Sequence, residues 1–266
     1  TPKPSSAASD VYKRQDQYLH REKRPKTVGR YYPSEIGYCM RKVWFSYKYP
    51  METEKDLIRI FHLGNILHDF IVSVLKSEKN PEVELLETEL PFRMSIEDFI
   101  VSGRIDDLVL VKEDNKKFLV EVKSTRSVDT ITEPVHTHLV QLQLYMYAMG
   151  IHDGIILYIE KNNLHSKAFE VKFDEEIAKQ AVNRFKILHR YLKMNRIPEA
   201  EAKNNEKIKW MCRYCEYKEM CDNYDEHEKK PTVECYKLEK PVNQAESSFE
   251  ENSERKSEKL KTLDMF

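Results

Sequence analysis

Phe118-Leu119-Val120-Glu121-Val122-Lys123 is the stretch whose reading decides the fold. Three apolar residues lead straight into a Glu-x-Lys pair, as in a strand central to a sheet. Side chains alternate along a strand, so Glu121 and Lys123 share one face and Val122 points to the other. Upstream, Gly103-Arg104-Ile105-Asp106 lies in a second strand-like segment over 99–112, with Glu113-Asp114-Asn115 as the turn between the two. Pairing of these strands brings Asp106 close to Glu121, and Gly103 allows close backbone approach. Two carboxylates beside an ammonium suit Mg2+ or Mn2+, which prefer oxygen ligands. Such ions activate water and neutralise charge on a scissile phosphate.

The surrounding pattern reads as α/β. Ser34 is placed to cap a short helix holding Cys39, Val43 and Trp44. Residues 55–77 predict a helix with Leu57, Phe61, Leu67, Phe70, Ile71 and Val74 on its apolar side. A further strand is expected over 83–95, and a helix over 134–149 that ends at Gly150. A hairpin follows, with strands 155–160 and 167–173 joined through Asn162-Asn163, and then a helix over 174–194. This order gives a mixed sheet flanked by helices. Gln141 and Tyr145, four apart, share a helix face; Gln143 is the register alternative, without a Tyr four residues on. Arg126 and His138 are candidates for phosphate contact.

Composition sets the outer limits. The chain has 266 residues, 40% hydrophobic and 33% charged, with a formal net charge of -1, so a DNA-binding surface must be a local patch. No uninterrupted apolar run is long enough for a membrane span, and no apolar leader resembles a signal peptide, so a cytoplasmic protein is expected. Residues 1–15 show no periodicity and are expected outside the folded unit. Residues 16–30 carry Arg21, Lys23, Arg24, Lys26 and Arg30, which makes 1–30 a basic, partly disordered leader. The folded domain is expected over 31–240 and a disordered tail over 241–266.

Cys212-x-x-Cys215-x5-Cys221, with the distant Cys39, offers four thiolates, and Cys235 lies outside the pattern. A zinc ribbon presents two closely spaced knuckles, whereas here one ligand stands alone at the far end of the domain. Four thiolates also hold iron–sulfur clusters. Ligand chemistry leaves both open.

Gly-x-x-Asp, Glu-x-Lys and Gln-x-x-x-Tyr, in this order, resemble the RecB-like branch of the PD-(D/E)XK nuclease superfamily. No proline precedes Asp106, as is usual in that branch. The resemblance covers about residues 31–225 and implies a restriction-endonuclease-like core with Asp106, Glu121 and Lys123 as catalytic residues. It also implies a metal-binding histidine on an earlier helix after a glycine. Gly64-Asn65-Ile66-Leu67-His68 supplies it, with His62 as competitor. The implied metal set is then His68, Asp106, Glu121 and the Val122 carbonyl, with Gln141 and Tyr145 positioning DNA.

One cysteine before the motifs and three after resemble the cluster-bearing members of the branch, among them the AddB-type helicase-nucleases and the CRISPR-associated exonucleases. That implies a 4Fe–4S cluster on Cys39, Cys212, Cys215 and Cys221, joining the two ends of the domain. The chain has no Walker-type loop and no room for helicase motors, so it is similar to the stand-alone CRISPR-associated exonucleases. These imply action on single-stranded DNA or DNA ends in spacer acquisition, beside a CRISPR integrase. A repair or viral nuclease and a non-catalytic DNA-end-binding subunit are the other settings. Single strands are held by aromatic stacking among basic residues. Tyr31, Tyr32, Tyr38, Trp44, Tyr47 and Tyr49 stand in the sequence among Arg30, Arg41, Lys42 and Lys48. Thr262-Leu263-Asp264-Met265-Phe266 resembles peptides that dock on sliding clamps through Leu263 and Phe266.

Overall fold

In the computed structural model, which describes residues 6–19 and 25–229, strand β4 (Lys116–Thr125) is the middle of the sheet. Its sequence explains the place. Leu119 joins the main core on one side, while Phe118, Val120 and Val122 join a second apolar cluster on the other. A strand apolar on both faces needs a layer on each.

In chain order the protein runs α1 (Ser6–Leu19), β1 (Arg30–Tyr31), a 3-10 turn at Pro33–Glu35, α2 (Met40–Lys48) and α3 (Lys55–Leu75). There follow β2 (Val83–Ile96), β3 (Phe99–Val111), β4, α4 (His136–Met149), β5 (Asp153–Glu160), β6 (Ser166–Lys172) and α5 (Glu175–Lys193). Short helices α6 (Glu201–Asn204) and α7 (Trp210–Arg213) precede α8 (Lys218–Lys229). The sheet order is β1-β3-β4-β5-β6, with β2 also pairing β3. Antiparallel β2–β3, β3–β4 and β5–β6 pairs combine with parallel β1–β3 and β4–β5 pairs, so the sheet is mixed. Helix α4 makes the β4–β5 crossover.

One layer, around α4 and α5, closes over Leu119, Ile156 and Tyr158. On the opposite face α3 sets Leu67 and Ile71 against Ile159, with Val122 and Leu157 alongside. Asp174 caps α5 by accepting from the Glu176 and Ile177 amides. The chain separates into compact units Thr1–Cys221 and Asp222–Phe266, of which the second is described only through the end of α8. Cys235, Leu263, Phe266 and the whole of 241–266 lie outside the described residues.

Three expectations change. Ser34 does not cap the helix of Cys39. Glu35 is drawn inward by Tyr47 and Lys26, the 3-10 turn closes there, and α2 begins only after Cys39. The apolar side of α3 is divided rather than uniform: Leu67 and Ile71 are buried, whereas Leu57, Phe61, Phe70 and Val74 are exposed. By length and composition α3 is also the helix among the described residues that qualifies to cross a membrane. Finally, part of the leader is helical, as α1, and its Asp16 binds Lys55 and Arg59 of α3.

Candidate active site and cysteine centre

The β3–β4 ladder runs from Val111↔Lys116 to Asp107↔Val120 and stops there. The next backbone amide of β4 that meets β3, that of Val122, donates instead to the Asp106 side chain, Oδ2, at 2.8 Å. A side chain thus takes over from the ladder where the strands part. Helix α4 braces the opening. Gln141 Nε2 donates to Glu121 Oε1 at 2.8 Å and to the Tyr145 hydroxyl at 3.2 Å, and that hydroxyl donates to the Arg104 carbonyl at 3.0 Å. Gly103 makes room: a Cβ there would stand 3.1 Å from Pro33 Cδ and 3.7 Å from the Tyr145 hydroxyl. Gln143 turns the other way, to the Lys172 carbonyl and the Asp174 amide.

Glu121 is 1% exposed, and its Oε1 also receives Lys123 Nζ. Its Oε2 is buried without a hydrogen-bond partner, as is Oδ1 of Asp107. Unpaired buried carboxylate oxygens are costly and rare. Burial, followed by the charge of Glu121, raises the Asp106 carboxyl to about 7 despite Lys123, the Val122 amide and His68. Burial pulls the Lys123 ammonium down, but Glu121 and Asp106 outweigh it and the net shift is upward. Glu121 and Lys123 therefore share the α4 face, as the alternation of β4 requires, and Asp106 reaches the same stretch of β4 at the Val122 amide.

His68 stands on α3 and meets β3 through Asp107. Its Nε2 lies 3.1 Å from Asp107 Oδ2, on the α3 side, and Nδ1 lies 3.7 Å from Glu89 Oε1. The Asp107 bond, against burial and with help from Asp106, Asp107 and Glu89, raises its pKa to about 9. His62 packs edge-on against Tyr18. Asp107 and Glu89 were missed. Asp107 had a signal, a second acid directly after Asp106 in a strand buried on both faces. Glu89 had none: it stands between the Thr88↔Asp107 and Leu90↔Ile105 pairs, and its φ of 53° is a strained conformation for this residue.

Arg126 is exposed, as a phosphate contact requires. His138 is not available as a cation: its Nδ1 lies 3.0 Å from the Tyr158 hydroxyl, and burial, then the Lys123 charge, lowers its pKa to about 3.

The four cysteines gather around the start of α2. Cys39 packs with Met211 and Cys212, while burial raises Cys215 and the nearby Cys39 adds to that shift. Arg41 of α2 donates from Nη1 to Cys221 Sγ at 3.6 Å. None of the four forms a disulfide. The donor set suits a thiolate-ligated centre. As they stand, no three Cys, His, Asp or Glu side chains among the described residues close round one point, here or at the carboxylate site.

The aromatic cluster separates by burial. Tyr31, Trp44 and Tyr47 belong to the core, whereas Tyr38 is 36% exposed with Lys42 Nζ 5.1 Å from its ring centre. Gly37 sets that position. A Cβ on it would stand 2.5 Å from Thr137 Cα, so the segment lies tight against the first turn of α4, one turn before Gln141.

Comparison with known proteins follows the same span. The family model of the PD-(D/E)XK nuclease superfamily matches residues 37–222. The CRISPR-associated exonuclease Cas4 of Saccharolobus solfataricus strain P2 is 25% identical over 214 residues, which is 79% of this chain and 94% of that protein. The solved structure of SSO0001 has a TM-score of 0.52 at 22% identity, covering 82% of this chain and 96% of that one. An alkaline exonuclease of Laribacter hongkongensis overlaps at a TM-score of 0.40 and 12% identity, covering 63% and 90%.

Proposed function

The chain belongs to the PD-(D/E)XK nuclease superfamily, and from that we propose that it is a metal-dependent DNA exonuclease hydrolysing phosphodiesters. The observation that carries the reading is Glu121: buried, paired with Lys123, braced by Gln141, and left with one oxygen unpartnered. Asp106, Glu121, the Val122 carbonyl and His68 are the groups for Mg2+ or Mn2+, an oxygen-rich set with one imidazole. A divalent cation there supplies Lewis acidity, activating water and offsetting charge on the phosphate.

The chain's own residues do the rest. Lys123 keeps a positive charge beside Glu121 and faces the phosphate oxygens as their charge grows. Gln141 and Tyr145 hold Glu121 and the Arg104 carbonyl in register, so the gap between β3 and β4 keeps its width. Tyr38 offers a stacking face for an unpaired base, and Lys42, paired with Glu216 at 3.0 Å, stands beside it for the phosphate. That arrangement favours single-stranded DNA or frayed ends.

Cleavage of labelled single-stranded DNA with Mn2+ tests the reading. The parent cleaves, while Glu121→Ala and Lys123→Ala do not. Equal cleavage by all three overturns it. Binding of ends without cleavage by the parent would turn the reading to a DNA-end-binding subunit.

We further assign a 4Fe–4S cluster to Cys39, Cys212, Cys215 and Cys221, on the grouping of four thiols outside any disulfide. Iron analysis and visible absorbance separate this from zinc. Beside a CRISPR-associated relative, we also propose a place in spacer acquisition with an integrase as partner and the cytoplasm as compartment. Co-purification with that integrase tests this setting, and a repair or viral role is the outcome if it fails.

A further inference from the structure

Asp107 has no role in the hydrolysis just described, yet it is 0% exposed. Its pairing with Val120 puts it on the α3 face of the sheet, opposite Glu121, in a layer otherwise made of Val109, Phe118 and Val120. Packing alone gives no reason for a carboxylate there, because a buried charge needs compensating partners. What Asp107 touches is His68. Oδ2 lies 3.1 Å from Nε2, while Oδ1 has no hydrogen-bond partner.

The strand makes this contact possible. From Phe99 to Ile105 the core residues of β3 are odd-numbered, but Leu108 also faces the main core and Val109 the second cluster. The inward set changes parity across Asp106–Asp107. Two consecutive acids therefore serve different purposes: Asp106 reaches Val122 N and Asp107 reaches into the α3 layer. The other nitrogen of His68, Nδ1, faces the Glu89 carboxylate at the lip, 3.7 Å from Oε1.

We propose that Asp107 is a positioning residue that takes the Nε2–H of His68 and so presents Nδ1 as the nitrogen for the divalent cation. A carboxylate on one imidazole nitrogen fixes both the orientation of the ring and the position of its proton, and leaves the other nitrogen to the metal. The proposal rests on the metal-nuclease reading above.

Asp107→Asn keeps the size of the side chain but offers an amide that donates to Nε2, which moves the proton to Nδ1. Its Mn2+ affinity, measured by calorimetry, is expected to fall about tenfold to a hundredfold, the range for loss of such a partner. Nitrogen NMR of the Mg2+-loaded parent is expected to show His68 protonated at Nε2. In a His68→Ala background, Asp107→Asn is expected to cause no further loss, because the two act as one unit.

A parent protonated on Nδ1 overturns the proposal. So does parental Mn2+ affinity in Asp107→Asn, or an additional loss in the His68→Ala background, which would make Asp107 a ligand itself. The NMR assignment needs no variant, so a misfolded Asp107→Asn still leaves a deciding measurement. Glu121→Ala is the control for the underlying reading. If it binds Mn2+ like the parent, the nuclease assignment fails; if it loses Mn2+ while Asp107→Asn does not, only the role of Asp107 fails.

Discussion

At Glu121 the cost to the fold and the use to the site coincide. An unpartnered carboxylate oxygen in the sheet destabilises the metal-free protein, so replacing it relieves the fold while removing function. Glu121→Gln is expected to melt no lower than the metal-free parent and to lose about a hundredfold to a thousandfold in cleavage rate, the order seen when a group stabilising transition-state charge is removed. A melting temperature well below the parent's would show instead that Glu121 is a structural ion pair. Asp106 adds a dependence on pH. With its pKa raised to about 7 from the ordinary 3.8, the carboxyl stabilises the metal-free fold while protonated. That contribution is complete below the ordinary value and is lost as pH rises through about 7. A bound cation replaces the proton, so the rise in melting temperature produced by Mn2+ should grow between about pH 6 and about pH 8. A constant rise across that interval would show that Asp106 does not exchange a proton for the metal. Alternation in the sequence places Glu121 and Lys123 on one face, and the pairing of the two strands brings Asp106 close to Glu121. Nothing in the sequence signals that His68 turns to Asp107, because that depends on how α3 crosses the sheet.

At the scale of elements, the segment from Gly37 to Cys39 connects the thiol cluster to the catalytic layer. Its backbone touches Thr137 of α4, and Arg184 of α5 donates to the Ile36 and Tyr38 carbonyls. Gly37→Ala forces that contact apart and is expected to cost about 1–3 kcal/mol, as overpacking does; thermal melting measures it, and an unchanged melting point rejects the close approach. Tyr38→Ala is expected to raise KM for single-stranded DNA by the loss of one stacked base, about 1–3 kcal/mol, with kcat little changed and with Tyr38→Phe restoring the parent value. An unchanged KM in Tyr38→Ala removes Tyr38 from the substrate path. The long strands and α5 are legible because hydrophobic period and turn residues agree. Helix α2 is misread at its start, since Ser34 has a capping side chain but the burial of Glu35 decides where the chain turns. The exposed flank of α3 is misread for a related reason: its apolar residues cover more than one side of the helix, and the sequence does not say which stripe meets the sheet.

At the scale of the whole molecule, distant segments of the chain meet on α2. Arg41 donates to the Pro198 carbonyl at 2.7 Å, the Met40 amide to Glu201 Oε2 at 2.9 Å, and the Tyr217 hydroxyl to the Tyr49 carbonyl at 3.0 Å. The cysteine spacing indicates this closure, while α6 and α7, at four residues each, are too short to leave a periodic signal. Cys212→Ala is expected to lose visible absorbance together with bound iron and to melt several degrees lower, about 2–4 °C for each kcal/mol lost. Parental absorbance and melting point in that variant would reject the cluster.

The bonds from α2 also fix an order of events during synthesis. Arg41 and Pro198 are 157 residues apart, and Met40 and Glu201 are 161 apart. A ribosome therefore releases helix α2 long before the groups that fasten it have been polymerised. Contacts of such separation slow folding, so the nascent chain carries this helix unsecured until its carboxy-terminal third emerges.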